Sequence, residues 1–335
     1  MIRILKLTLF FCAVSLLIAA PAQAEKESLT KGETAYVDVS VVTVWAEPDI
    51  LRPVDAPSAS NPVSPRIWTD SMTLDDKLWL VGNLETQALY GMKVTILDEQ
   101  GDWVKIAVHG QSTPREETGY PGWVPKEQLS QNKKFEAMQK KSFAQINVPT
   151  AVLYDDPQLT SEALEVSFNT RLPVIAEQNG KILTASPSGK NKWISAEDAE
   201  IYDSEKSIPY PTSEDLIETG KTFLDLPYLW AGVSGFGYDC SGFTHSVYKA
   251  HGIEIPRDSG VQAEAGEFIE RENLQKGDLV FFAREEGTGT VHHVGMYIED
   301  DVMIHSPNSR STVEITTISE SAYADSYHSG RRYLK

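Results

Sequence analysis

Cys240 is the residue around which chemistry can be organised in this chain. It follows Gly232, Gly235 and Gly237 in the run Gly237-Tyr-Asp-Cys-Ser-Gly-Phe243, where a glycine-rich turn gives way to an apolar helical pattern. A side chain at a helix start meets N–H groups without intrahelical partners and the positive end of the helix dipole. A thiol with an ordinary pKa of ~8.5 can fall there to ~3.5–7.5, especially beside an imidazolium. Asp239 reads as either an N-cap or a ligand for a substrate amine, and Ser241 can offer its backbone N–H to an oxyanion. The glycines leave room for a substrate backbone to approach.

The base candidates are His292, His293 and His305. Side chains alternate along a strand, so His293, Gly295 and Tyr297 share one face and His292, Val294, Met296 and Ile298 the other, which is predicted to face the core. A three-residue turn at Glu299, Asp300 and Asp301 pairs Ile298 with Val302. His305 then lies on the face of His293, one diagonal step away; a two-residue turn would place it on the opposite face. In the first register Cys240, His293 and His305 supply a nucleophile, a base and a group that orients the base. His109, His245, His251 and His328 read as structural. No Cys-x-x-Cys or His-x-x-x-His pair exists and no Lys-Ser/Thr follows the glycines, so neither a metal, a bound phosphate nor a cofactor is expected.

Three blocks must position these groups. The 335 residues are 41% hydrophobic and 23% charged, which is ordinary globular usage and excludes wholesale disorder. Thirty Lys plus Arg against 48 Asp plus Glu give a net charge of -18. That balance excludes a nucleic-acid partner, which rewards clustered cations. Residues 25–130 read as short strands: a Val- and Thr-rich run over 34–45, apolar runs at 78–81 and 93–97, the turn at 98–102 and the alternating Trp103-Val-Lys-Ile106. A Pro- and Ser-rich insertion over 53–65 reads as a loop. Residues 131–205 repeat the style after a short charged link. Each of these blocks is predicted to be a small β-barrel. Residues 206–335 change character. A helix starts at Thr212-Ser-Glu-Asp215, a one-faced helix carries Phe243, Val247, Tyr248 and Ala250, and strands follow at 279–282 and 293–298. One helix on an antiparallel sheet gives an α+β domain.

Residues 1–24 read as a secretory signal peptide: Arg3 and Lys6, an apolar run over 7–20, then Ala22-Gln-Ala24. The apolar run is shorter than the ~20 residues of a membrane span. Cleavage removes Cys12, leaving Cys240 as the single thiol of a secreted or cell-envelope protein with no transmembrane segment.

Together, Tyr228-Leu-Trp-Ala-Gly232, Asp239-Cys-Ser-Gly-Phe243, Pro256-Arg257, the run 274–282, His293-Val-Gly295 and Ile304-His305 resemble the NlpC-type cell-wall cysteine peptidases of the papain-like superfamily. With two bacterial SH3-like domains ahead, the chain looks like the YkfC-like subgroup. The resemblance implies two all-β SH3-like barrels and a C-terminal α+β papain-like peptidase domain. It implies hydrolysis of the γ-D-glutamyl bond to L-Lys or meso-diaminopimelate in peptidoglycan stem peptides, with Cys240 as nucleophile, His293 as base and His305 orienting it. Such enzymes prefer a free N-terminal L-Ala and release L-Ala-γ-D-Glu, a step in wall-peptide turnover or recycling. Asp239 and Glu85 would pair with the amine, Tyr120 and Tyr228 would stack around the alanine, and Ser259 with Arg257 or Asp258 would hold the glutamate's free carboxylate. His292, beside the base, would border the substrate. The alternatives are a wall-binding protein with an inactive peptidase domain, acyl transfer to an amine in place of water, and an endopeptidase acting on intact sacculi.

Overall fold

The computed structural model describes residues 29–335, so the expected signal peptide over 1–24 and Cys12 lie outside the described residues. Three large antiparallel sheets follow in chain order, with a two-stranded one at 233–234 and 237–238. The first runs in the spatial order 84–89, 41–45, 120–125, 103–108, 93–100, 34–37, 129–130. The second runs 162–167, 150–154, 192–195, 181–184, 171–178, 143–146, 199–202. Numbered within each sheet, both have the same strand order, and both carry a register shift in the fourth strand, at Ile96/Asp98 and at Val174/Ala176. The two SH3-like units thus repeat in topology far more closely than in sequence. Ala35, Val42, Val44, Val94, Ile96, Ile106 and Val124 fill the first core, and Ala144, Leu153, Val166, Leu172, Ile182 and Ile194 the second.

The insertion is helical, which corrects the loop expected over 53–65 and the strand-like reading of 78–81. A 3₁₀ turn, Pro53–Asp55, leads to Ala56–Ala59, Pro65–Ser71 and Leu74–Trp79. Thr73 caps the last of these by accepting from the Asp76 N–H, while Asp76 reaches back to the Thr73 N–H. Trp68 of the insertion packs with Trp45 of the barrel and with Leu229 and Ala231 of the third unit.

That third unit has a six-stranded sheet in the order 267–269, 327–332, 279–283, 291–297, 302–305, 314–317. It carries the two expected helices, Ser213–Lys221 and Cys240–Ala250, and a third, Ser259–Glu264. The first begins at the expected Thr212 cap. The Cys240 helix is not one-faced. Every residue except Lys249 is buried, because the barrels cover the side turned away from the sheet. Asn169 donates to the Ser246 carbonyl at 2.7 Å, Gln145 to the Ala250 carbonyl at 2.9 Å and Arg171 to the Lys249 carbonyl at 2.8 Å. Of the glycines ahead of Cys240, Gly235 serves this docking while Gly232 and Gly237 pack within their own loop, so the room expected for substrate is taken by protein atoms. A Cβ on Gly235 would stand 2.0 Å from the Pro149 carbonyl of the second barrel, and one on Gly242 equally close to the Gly232 carbonyl.

Candidate active site

Asp239 caps the Cys240 helix, its Oδ1 accepting from the Gly242 N–H at 2.6 Å. It therefore fills the N-cap role while still lining the cavity at Cys240. Its carboxylate is also gripped by Arg257, Nη1 to Oδ1 at 3.1 Å and Nη2 to Oδ2 at 2.8 Å, with Nη1 3.0 Å from Ser241 Oγ. Arg257 is 1% exposed and its Nε donates to Thr86 Oγ1 of the first barrel at 3.1 Å. One guanidinium thus fixes the start of the Cys240 helix and ties it to the barrel. Four of its five N–H donors are taken there, and Arg257 is not among the residues that line the cavity at Cys240.

The three-residue turn is the one observed. Ile298 N–H donates to the Val302 carbonyl and Val302 N–H to the Glu299 carbonyl, both at 2.8 Å, with Asp300 and Asp301 at φ of 47° and 65°. His293 and His305 consequently share a face, and His293 Nε2 lies 2.7 Å from His305 Nδ1. Both rings are buried, at 2% and 1% exposure. With Nε2 committed to His305, Nδ1 is the nitrogen of His293 left for the thiol. Tyr323, which no spacing in the sequence singled out, stacks on His293 at 4.1 Å and 10° and meets His305 edge-on. His292 departs from the expectation. The strand bulges between the pairs Phe282↔His293 and Ala283↔Val291, so His292 turns out of the core face to solvent at the rim of the cavity. The four histidines read as structural are hydrogen-bonded locally, His245 to the Ile255 carbonyl and His328 to that of Gly287, His109 to Thr95 and His251 to Thr219.

A cavity of about 230 Å³ opens on Cys240. It brings together residues far apart in sequence: Glu85 and Tyr120 from the first barrel, Tyr228, Asp239 and Ser241 around the helix start, Asp258 and Ser259, and His292 and His293. Trp230, whose indole N–H donates to the Leu84 carbonyl at 3.0 Å, and Pro307 complete it. His305 stands behind His293 and does not line it. A larger hollow of about 530 Å³, lined by residues such as Glu33, Tyr36 and Lys133, holds neither cysteine nor histidine.

The region over 225–332 matches the NlpC/P60 family, 146–202 the YKFC SH3b2 domain, and 82–129 the bacterial dipeptidyl-peptidase Sh3 domain. The γ-D-glutamyl-L-lysine dipeptidyl-peptidase of Bacillus cereus is 52% identical over 93% of this chain and 94% of its own. The chain belongs to the NlpC/P60 family. The enzyme of the same name from Bacillus subtilis is 41% identical over 85% of this chain and 93% of its own. The crystal structure of an NlpC/P60 family protein from Bacillus cereus superposes with a TM-score of 0.88 at 52% identity, over 90% of this chain and all of that one.

Charge within this NlpC/P60 site differs from the expectation in two ways. Glu85 is paired with Arg115 at 2.9 Å, and Arg115 also lies over the Tyr120 ring. Asp239 is paired with Arg257, which leaves Asp258 as the lining carboxylate held only by a neutral group, the Tyr120 hydroxyl at 3.1 Å. Burial foremost raises the Asp258 pKa, opposed by Arg257 and Tyr120. An acid there repels a glutamate carboxylate and attracts an amine. The thiol also departs from the low pKa expected of a helix start. Burial, then Asp239, push Cys240 up to about 12, against the pull of the Val294 and Ser241 N–H groups and Arg257. Burial, then His305 and His292, push His293 well below its usual range. Both directions favour the neutral thiol and the neutral imidazole over a thiolate–imidazolium pair. We expect alkylation of Cys240 by iodoacetamide, followed by peptide mass spectrometry, to accelerate about tenfold per pH unit from pH 6 to 9 as thiolate forms. A flat rate above pH 5 would instead mean a preformed thiolate–imidazolium pair.

Proposed function

We propose that this cysteine peptidase hydrolyses the γ-D-glutamyl bond to an L-diamino acid in free peptidoglycan stem peptides and releases L-Ala-γ-D-Glu. The observation that carries the reading is the far wall of the Cys240 cavity. The first barrel closes that end with Glu85 and Tyr120, and Asp239 and Asp258 add two more carboxylates. About 230 Å³ is small against the ~300–1,000 Å³ of ordinary ligand sites, so the space suits a short peptide that begins inside it. An ammonium is the group that three carboxylates against two arginines select. Asp258, in no ion pair, is its first partner, Glu85 its second, and Ser259 faces the glutamate's free carboxylate. Tyr120 and Tyr228 flank the alanine. A wall at the amine end also disfavours an intact sacculus, in which that alanine is acylated. The names of the two full-length Bacillus relatives support the same bond and the same kind of product.

Chemically, the Cys240 thiol passes its proton to His293 Nδ1 as Sγ attacks the γ-carbonyl carbon, and the new oxyanion meets N–H groups at the helix start. His293 then returns the proton to the departing amine as the C–N bond breaks, leaving a thioester. Water attacks that thioester, giving a proton to His293, and the restored carboxyl leaves as Cys240 regains its proton. The positive charge on His293 during each transfer is shared through the Nε2 contact to His305.

We infer export through the 1–24 leader, which places the enzyme where stem peptides are shed. No helix among the described residues is long and apolar enough to cross a membrane.

The test compares L-Ala-γ-D-Glu-L-Lys with its N-acetyl form. We expect kcat/KM to fall at least ~100-fold on acetylation, because buried acids are then left without their cation. Equal cleavage of both would overturn the closed amine pocket.

A further inference from the structure

The His293–His305 contact raises a question of tautomer that the three residues alone do not answer. Only one proton fits between His293 Nε2 and His305 Nδ1, 2.7 Å apart. If it sits on His305 Nδ1, neutral His293 must carry its own proton on Nδ1, facing the thiol, and cannot accept another. If it sits on His293 Nε2, then Nδ1 is free to accept and His305 must be the Nε2–H tautomer. That Nε2 is buried and makes no hydrogen bond of normal geometry. One carboxylate oxygen comes near it, Glu314 Oε1 at 3.5 Å. Glu314 pairs directly with His305 across the strands 302–305 and 314–317, the latter an edge strand of the sheet.

We propose that Glu314 is a positioning residue that fixes the tautomer of His305 and, through it, the nitrogen on which His293 accepts the thiol proton. The inference rests on the cysteine-peptidase reading. The Glu314 side chain is 48% exposed, so it can turn the last few tenths of an ångström to accept from Nε2–H. Contacts of this kind are often long in an empty site and shorten when charge develops. The charged and titratable groups around the histidine pair are Cys240 from its helix, His292 on the same strand, Tyr323 from the C-terminal turn and Glu314. Glu314 is the one anion of neutral solution among them, and its charge supports the imidazolium that forms when the thiol is deprotonated.

Two variants separate the tautomer from the charge. Glu314→Gln keeps an acceptor and removes the charge; Glu314→Ala removes both. Nitrogen-15 NMR of the histidine rings in the unmodified enzyme is expected to show His305 protonated on Nε2, a state kept in Glu314→Gln and depopulated in Glu314→Ala. The acid limb of kcat/KM marks protonation of the histidine pair that must accept the thiol proton. Loss of the Glu314 charge makes that protonation harder, so the limb moves to lower pH by roughly 0.5–1 unit in both variants. In Glu314→Ala kcat falls about tenfold with KM unchanged, well short of the ~10⁴-fold loss when a triad base is left in the wrong tautomer. An Nδ1-protonated His305 in the unmodified enzyme would overturn the proposal, as would an acid limb that stays in place in both variants. Failure of the peptidase reading itself is distinguishable, since the unmodified enzyme would then not cleave the peptide at all.

Discussion

Replacing Cys240 by alanine is expected to lower kcat/KM for L-Ala-γ-D-Glu-L-Lys by about 10⁴-fold or more, the largest effect of any single change in this protein. Cys240 is the one thiol among the residues that line the cavity. Ser241, one residue on, points its Oγ at Arg257 Nη1, 3.0 Å away, and not along the path of Sγ. The amine end of the cavity is untouched by the change, so the peptide still binds Cys240→Ala, and calorimetry should return a dissociation constant within a few-fold of the native KM. His293→Ala should cost nearly as much, and the double variant little more than either alone, because the two act as one unit. Residual turnover within ~100-fold of native in Cys240→Ala would show that the chemistry does not pass through the thiol.

The second large effect concerns stability. Arg257→Met is expected to cost about 3–5 kcal/mol, because it strips the cation from a carboxylate that is itself almost buried. Arg257 and Asp239 are 1% and 8% exposed, so solvent screens little of this loss. Asp239 would then have only its cap bond to the Gly242 N–H and a distant Ser241 hydroxyl at 3.4 Å. The contact to Thr86 of the first barrel disappears as well, so the junction between barrel and peptidase domain loosens where the cavity wall is built. Combining Arg257→Met with Asp239→Asn should recover part of the loss, since asparagine keeps the N-cap and removes the stranded charge. Urea midpoints for the single and double variants check this. A single variant as stable as the native protein would mean that the ion pair does not hold the helix start.

The placement of Cys240 and its two histidines was legible because local rules set it. Asp239-Cys-Ser-Gly242 is a short-range cap signal, and the turn 299–301 sets the register that brings His305 beside His293. Strand alternation failed only at His292, where a bulge at the mouth of the site turned the side chain over, an event with no mark in the residue types. The helical insertion did carry a mark. Thr73-Leu-Asp-Asp76 is a capping box, obscured by the prolines and serines before it. The shared strand order of the barrels was hidden because their cores accept any aliphatic residue at alternate positions, which leaves topology intact while sequence drifts. Least visible were the partners of the site residues. Arg115 on Glu85, Arg257 on Asp239 and Tyr323 on His293 all meet through tertiary folding, 30, 18 and 30 residues apart. Those partners decide which carboxylate is free for an amine and hold the base ring in place, so the fine electrostatics of the cavity had to come from the folded chain.

The most direct measurement is identification, by mass spectrometry, of the products formed from L-Ala-γ-D-Glu-L-Lys by the full chain. The account predicts two products, L-Ala-γ-D-Glu and L-Lys, with a transient L-Ala-γ-D-Glu thioester on Cys240 in the intact-protein spectrum. Release of L-Ala with γ-D-Glu-L-Lys, or an unchanged peptide, would contradict it.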